Sequence, residues 1–339
     1  MDNTYYEFIE EISLSVESQA AKNAINLIKS SNINDISTVK TLLGMLGDKD
    51  MAHELFGMLL LSIIVLLAFN VFSNLTNCNQ VLRTCVKITV SLTIILPIYR
   101  LLCVSTEYMR DISMFLGILA PTAGIITAAG GTIFLAEIQG VSFSFLTVLS
   151  QTLLNWILPT AISFFITISV IDIFGKEGRM LAFSNFVRNF FFSIYALFIA
   201  LLFLIFNFYN YAAKGQDTIS SKAFKLIVGQ SIPIIGGTVS EAIKLLGGGI
   251  VGARNVIGLS SVIFILGMCV SYIPTLLVYN FLLNLAAYMC DYFSITEFKS
   301  TLTHLKNAVE FVISTFAVII ILIFINIGVF MNTVPLIIQ

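Results

Sequence analysis

From Ile138 to Ile171, Asn189 to Ala213, Asn255 to Cys290 and Phe311 to Gln339, the sequence carries no charged side chain. A helix of about 20 apolar residues crosses the hydrocarbon core of a bilayer. Each of the four runs is longer than that. Composition agrees: 58% of residues are apolar and 11% charged, with a mean hydropathy of +0.96. Soluble domains are about 45–50% apolar and about 25% charged. The chain is expected to be an all-α, polytopic helical membrane protein.

Charge is uneven. Residues 1–54 hold nine acidic and four basic side chains, net −5; the remaining residues hold ten and fourteen, net +4. No basic stripe has nucleic-acid spacing, so nucleic acid is not an expected partner. Cys78, Cys85, Cys103, Cys269 and Cys290 lie in or beside apolar segments without CxxC or His-linked spacing. They read as small buried hydrophobes. His53 and His304 are far apart, with no ligand-like neighbours in sequence. No metal or cofactor is expected.

The N-terminus, "MDNTYYEFIEEISLSVESQ", is acidic where a signal peptide is basic. Tyr5, Phe8, Ile9, Ile12 and Val16 fall at helical spacing, with Glu7, Glu10, Glu11 and Glu17 opposite. This is an amphipathic helix, and a second is expected from about Asp35 or Ser37. Anionic headgroups repel its acidic face, so it is expected to pack on protein. Residues 1–52 therefore read as a helical region outside the bilayer, and 53–339 as the transmembrane domain.

About six spans are expected, at 55–72, 86–104, 141–173, 190–208, 256–289 and 308–331. Two further apolar segments, 113–136 and 223–252, are broken by Gly and Pro. The spans at 141–173 and 256–289 exceed one perpendicular crossing at 1.5 Å per residue, and contain Pro159 and Pro274. They read as long kinked helices or as two pieces each. Basic residues cluster at Arg83 and Lys87, at Lys176, Arg179 and Arg188, and at Lys299 and Lys306. Basic loops favour the cytoplasm. All three clusters share that side if neither broken segment crosses fully.

The stretch "SIPIIGGTVSEAIKLLGGGIVGARN", residues 231–255, is the least lipid-like part of this half. Thr238 and Glu241 make a capping box. Glu241 and Lys244 form an i,i+3 pair opposite an apolar face, and Gly247 supplies a helix stop. The resulting helix of about eight residues, roughly 12 Å, is too short to span. Pro233, Gly236 and Gly237 would join it to a short upstream helix. The pair is expected to form a re-entrant or interfacial hairpin, with Arg254 at the headgroups and Gly248 and Gly249 admitting the 113–136 segment closely. "ILAPTAG" (118–124) echoes "QSIPIIG" (230–236), each followed by a glycine pair, Gly130–Gly131 and Gly247–Gly248. Half-repeats of about 86–173 and 190–289 would give this pattern, as would chance matches at single prolines. Broken segments in corresponding positions are a transporter-like signal. Pro121, Gly130, Gly131 and the 233–255 residues, including Asn255, are thus candidates for a gate; tight helix packing by the same glycines is the alternative.

The stretch "SKAFKLIVGQSIPIIGGTVSEAIKLLGGGIVGARNVIGLSSVIFIL" closely resembles the central signature of the stage III sporulation protein AE family. The elements that carry it are Lys225, Pro233, Gly236, Glu241, Gly247 to Gly249, Arg254–Asn255 and Gly258. The order of segments is also similar over about residues 35–332. The resemblance implies a polytopic protein made in the mother cell of an endospore-forming bacterium. It implies a place in the outer forespore membrane, among other stage III sporulation proteins. The channel or secretion-like apparatus they form would support forespore gene expression, and this chain resembles its export-gate or transporter-like component.

An enzyme is not expected. Glu137, Asp172, Glu241 and Asp291 fall near segment ends, and no H-E-x-x-H, paired-aspartate or Ser–Lys spacing occurs in apolar context. A transport component and a scaffold for other membrane subunits remain. The first needs a solvent path at the broken segments; the second needs a dry, filled centre.

Overall fold

The computed structural model describes residues 2–16, 18–30, 57, 64, 80–130, 133–174, 180–231, 236–292 and 296–332. Among these there is no strand. The amphipathic N-terminus gives α1 (Asp2–Ser15) and α2 (Gln19–Ser30). The apolar region gives α3 (Gln80–Ala129), α4 (Ile133–Thr152), α5 (Leu158–Phe174), α6 (Leu181–Ser231), α7 (Gly236–Tyr292) and α8 (Thr296–Met331). Among the described residues, five apolar segments are long enough to cross a membrane: Ile88–Ala129, Leu135–Asp172, Leu181–Ile205, Gly248–Tyr292 and Phe298–Met331. The span expected at 55–72 and the helix expected from Asp35 lie outside the described residues, apart from helical Gly57 and Ile64.

The helices run further than the expected breaks allow. α3 passes through Pro97 and Pro121 and ends at Ala129, ahead of Gly130. Pro121 therefore does not break the helix, which ends only before Gly130. α7 runs unbroken through Gly247, Gly248 and Gly249, so the expected eight-residue helix and its glycine stop are not formed. Upstream, α6 is likewise one helix to Ser231. A glycine costs only about 1 kcal/mol in a helix interior, and tertiary context overrides such penalties. Pro233 lies outside the described residues.

Pro159 behaves differently. The five residues before Leu158, Leu153–Ile157, form a π-turn, closed by the Leu158 N–H on the Leu153 carbonyl. The widened turn accommodates a proline whose ring would clash one turn back in a regular helix. The long 141–173 segment is thus two helices joined by a bulge. By contrast, α7 carries Pro274 within one continuous helix.

Paired side chains set the helix directions. Tyr108 stacks on Tyr272 at 4.2 Å and Phe115 on Phe264 at 4.5 Å, so α3 and α7 are antiparallel. Tyr272 meets Phe316, and Gly258 faces Met331, so α7 and α8 are antiparallel too. α4 and α5 run against α8 through Ser142–Asn326 and Phe165–Phe311. α6 runs with α8 through Arg188–Glu310 and Tyr195–Thr315. α3 to α8 therefore form an up-and-down bundle. The start of α3, the ends of α5 and α7 and the starts of α6 and α8 share one end, the near end. The ends of α3 and α6 and the starts of α4 and α7 share the other, the far end. Of the basic clusters expected on one side, Arg83 and Lys87 at the start of α3, Arg188 on α6, and Lys299 and Lys306 on α8 belong to the near end; Lys176 and Arg179 lie outside the described residues.

α8 is the central helix, packed by α3, α4, α5, α6 and α7. Leu302, Leu305, Val309, Val312, Leu322, Ile323 and Phe330 bury different sides of it, as expected of a helix apolar all round. α6 is the outer helix: Phe183, Phe186, Phe190, Leu197 and Leu204 are exposed along it. α1 and α2 pack on α3 and α7, respectively. Ile9, Ile12 and Val16 are buried there, while Leu14 is exposed. Asp111 of α3 accepts the Ser18 N–H at 3.0 Å.

Candidate functional site

Polar side chains inside a lipid-embedded bundle are costly unless partnered, and so mark the places where function or specificity is built. Along α8 they gather at both ends. Near its start, "TLTHLKNAVE" places Thr301, His304, Asn307 and Glu310 at three-residue steps, a row that winds around the helix from the side facing α5 to the side facing α6. The His304 Nε2 lies 3.1 Å from the Asp172 Oδ2 of α5, with side-chain exposures of 0% and 2%. One turn earlier on both helices, the Ser169 hydroxyl donates to the Thr301 carbonyl at 3.5 Å.

One turn further along α8, Arg188 of α6 donates through Nη1 to Glu310 at 2.8 Å and to Asn307 at 3.0 Å. Lys306 also reaches Glu310, at 3.4 Å. The Asn307 amide donates to the Ser184 hydroxyl and to the Asn185 carbonyl oxygen, at 2.8 and 2.9 Å. Asn307 thus bridges donor and acceptor partners on α6. At the α7–α8 corner, Lys299 pairs with Asp291 at 2.7 Å. α5, α6 and α8 are locked together here by polar contacts.

The other end of α8 carries a second polar seam. The Ser142 hydroxyl of α4 donates to Asn326 of α8 in a short hydrogen bond, and Asn326 donates back to its own helix at Leu322. Thr127 of α3 bonds to Gln139 of α4 at 2.7 Å. At the same crossing a Cβ on Gly124 would lie 3.8 Å from the Ala136 carbonyl and 4.0 Å from Gly140. Small residues let these two backbones approach. Arg254 of α7 is 1% exposed, its guanidinium 5.8 Å from the centre of the Phe330 ring. The expected headgroup anchor is therefore an interior cation over an aromatic face. The sequence marked the residue, but not its depth.

The Tyr108–Tyr272 and Phe115–Phe264 stacks close the α3–α7 contact. The Tyr272 hydroxyl donates to the Leu101 carbonyl at 2.7 Å and also bonds Ser105.

The candidate gate residues distribute as follows. Gly130 is buried and caps α3, its N–H reaching the Ile126 and Thr127 carbonyls; Pro121 is exposed on the outer face of α3. Gly236 and Gly237 open α7, and Glu241, Lys244 and Gly247 follow within its helical backbone. Gly248 is exposed, Gly249 half-buried and Asn255 exposed. A Cβ on Gly248 meets no described atom within 4 Å. Gly131 and Pro233 lie outside the described residues. Gly258 is the closely approached glycine: a Cβ there would sit 2.5 Å from the Met331 Cγ.

Sequence reasoning passed over His304, Asp172, Asn307, Glu310 and Asn326. His304 lacked neighbours in sequence, and Asp172 sat at a segment end. The usable signal was the three-residue spacing of Thr301, His304, Asn307 and Glu310 at the entrance of a very apolar helix. Among the described residues, no group of three His, Cys, Asp or Glu side chains could hold a metal ion.

No curated protein and no solved structure matches the chain. The profile of the family described as stage III sporulation protein AE matches residues 22–333, from α2 to the end of α8. That span covers both polar seams and the whole bundle, and the chain belongs to this family: it is a multi-pass membrane protein of a sporulation family.

Proposed function

We propose that the chain is the export-gate or transporter-like member of a sporulation channel or secretion-like complex, set in the outer forespore membrane and joining mother cell to forespore. Family membership supports the setting. The observation that carries the gate reading is the far-end seam, where Ser142, Asn326, Gln139 and Arg254 are held inside the bundle. A bundle serving only as a scaffold would be more stable with apolar residues there. Stacked Tyr108, Tyr272, Phe115 and Phe264 then serve as the barrier of the closed state. Membrane lipid and other stage III sporulation proteins are its partners, and its part is in passage, not in a catalytic step.

The second reading is a structural scaffold that assembles other subunits, favoured by those same aromatic stacks. Single cysteines separate the two. Ser142→Cys and Ser260→Cys, both at buried positions, in an otherwise cysteine-free chain, are treated with a membrane-impermeant thiol reagent in membranes isolated from sporulating cells, with Asn255→Cys as the exposed control. Labelling of the two interior positions after engulfment is the expected result. Protection of both throughout sporulation, with the control labelled, overturns the gate reading in favour of the scaffold.

A further inference from the structure

Asp172 and His304 are drawn from helices 132 residues apart and meet in the interior of the near end. Nothing in the family assignment gives this pair a role. It is more than a helix clamp, because one side of the imidazole is left bare. Nε2 is on Asp172, whereas the buried Nδ1 has no hydrogen-bond partner among the described residues. One turn earlier on the same side of α8, Ser300 Oγ and Thr301 Oγ1 are also buried without a partner. Unsatisfied buried polar atoms are rare in folded proteins because each costs about 1–3 kcal/mol. Three together next to a carboxylate–imidazole pair mark a place kept polar for a purpose.

We propose that the Asp172–His304 pair is a binding site for one proton, exchanged as the α5–α8 seam loosens. In the neutral imidazole Nε2–H donates to the Asp172 carboxylate, and Nδ1 holds a lone pair. A hydronium ion arriving along the Ser300 and Thr301 hydroxyls gives its proton to Nδ1 and leaves as water. The imidazolium keeps Nε2–H on Asp172, and the pair becomes electrically neutral as a unit. Release runs in reverse, a water taking the Nδ1 proton. Burial makes the partner obligatory, since an imidazolium without a counter-charge is costly in low dielectric.

Among the described side chains, the other charged groups of the packed elements pair or lie elsewhere, Arg254 of α7 being at the far end over Phe330. Arg188 of α6 and Lys306 of α8 both pair with Glu310, and Asp291 of α7 pairs with Lys299. On α3, Arg100, Glu107 and Arg110 are exposed, and Asp111 accepts the Ser18 N–H. On α4, Glu137 is exposed, and it belongs to the far end. The proposal holds whether or not the chain forms a path of its own, and its test reads no transport.

The chain has two histidines, so His53→Gln leaves His304 as the sole imidazole. The full chain, with imidazole-15N histidine, is studied by solid-state NMR in lipid bilayers from about pH 8 to about pH 5, the range in which histidine ordinarily titrates. The expected result is a change from one protonated ring nitrogen to two. Asp172→Asn should hold the ring in its singly protonated form over the same range, and Asp172→Glu should restore the change. A ring that stays singly protonated in the wild-type background overturns the proposal, leaving a structural hydrogen bond. So does an Asp172→Asn variant that titrates as the parent does.

Discussion

Gly258 of α7 faces Met331 of α8 so closely that a Cβ on the glycine would lie 2.5 Å from the Met331 Cγ and 2.9 Å from its Sδ. The obstacle is a flexible side chain at a helix end, not backbone. Gly258→Ala is therefore expected to cost little, as Met331 turns aside. Gly258→Leu overfills the contact and should cost about 1–3 kcal/mol. Met331→Ala should recover most of that loss. Gly248→Leu, ten residues earlier, enters open space and should change stability by no more than about 0.5 kcal/mol. Denaturation of the four variants in one detergent checks the ordering.

The Asp172–His304 contact predicts a strong coupling. Removing one partner leaves a buried polar group without its mate, so Asp172→Ala should destabilise by about 3 kcal/mol or more. The same holds for His304→Ala in direction. Asp172→Leu with His304→Phe removes both polar groups at once, and should be less harmful than the sum of its single changes. A double-mutant cycle that closes additively would show that the two side chains do not interact in solution.

Arg188, Glu310 and Lys306 form a partly exposed set, each about one-fifth to one-quarter exposed. Partial hydration lowers the value of each pair to about 1 kcal/mol or less. Glu310→Gln disrupts two pairs, whereas Arg188→Gln disrupts one and also loses the bond to Asn307. The two variants should therefore be similar, with losses below those at Asp172. Equal destabilisation at Glu310 and Asp172 would contradict the burial difference between them.

Arg188, Lys299 and Lys306 at the shared near end predict orientation. Lysine and arginine favour the cytoplasmic ends of membrane helices. A reporter fused after Arg179, between α5 and α6, should be on the cytoplasmic side. One inserted between Ser231 and Gly236, between α6 and α7, should be on the opposite side. Both reporters on one side would contradict the up-and-down order of the helices.

Much of the architecture was legible in the sequence, because hydropathy and periodicity are local. The spacing of Ile9, Ile12 and Val16 predicts one face of a helix, and all three are buried. Pro159 predicts a kink or break, and a π-turn stands before it. Pro121 and Gly247 misled, because local breaker signals are worth only a few kcal/mol. Packing of α3 and α7 along their lengths outweighs them.

By itself the sequence determined that the chain lives in a membrane as helices, that its N-terminus is amphipathic, and which family signature it carries. All of these rest on residue type and on spacing within one helix. The tertiary structure alone decided that His304 meets Asp172, that Arg254 lies inside over Phe330, and that Gly258 and not Gly248 is the tight glycine. Each is a relation between helices. It depends on the rotation and axial register of two apolar surfaces, and a uniformly apolar run contains no local pattern that specifies either.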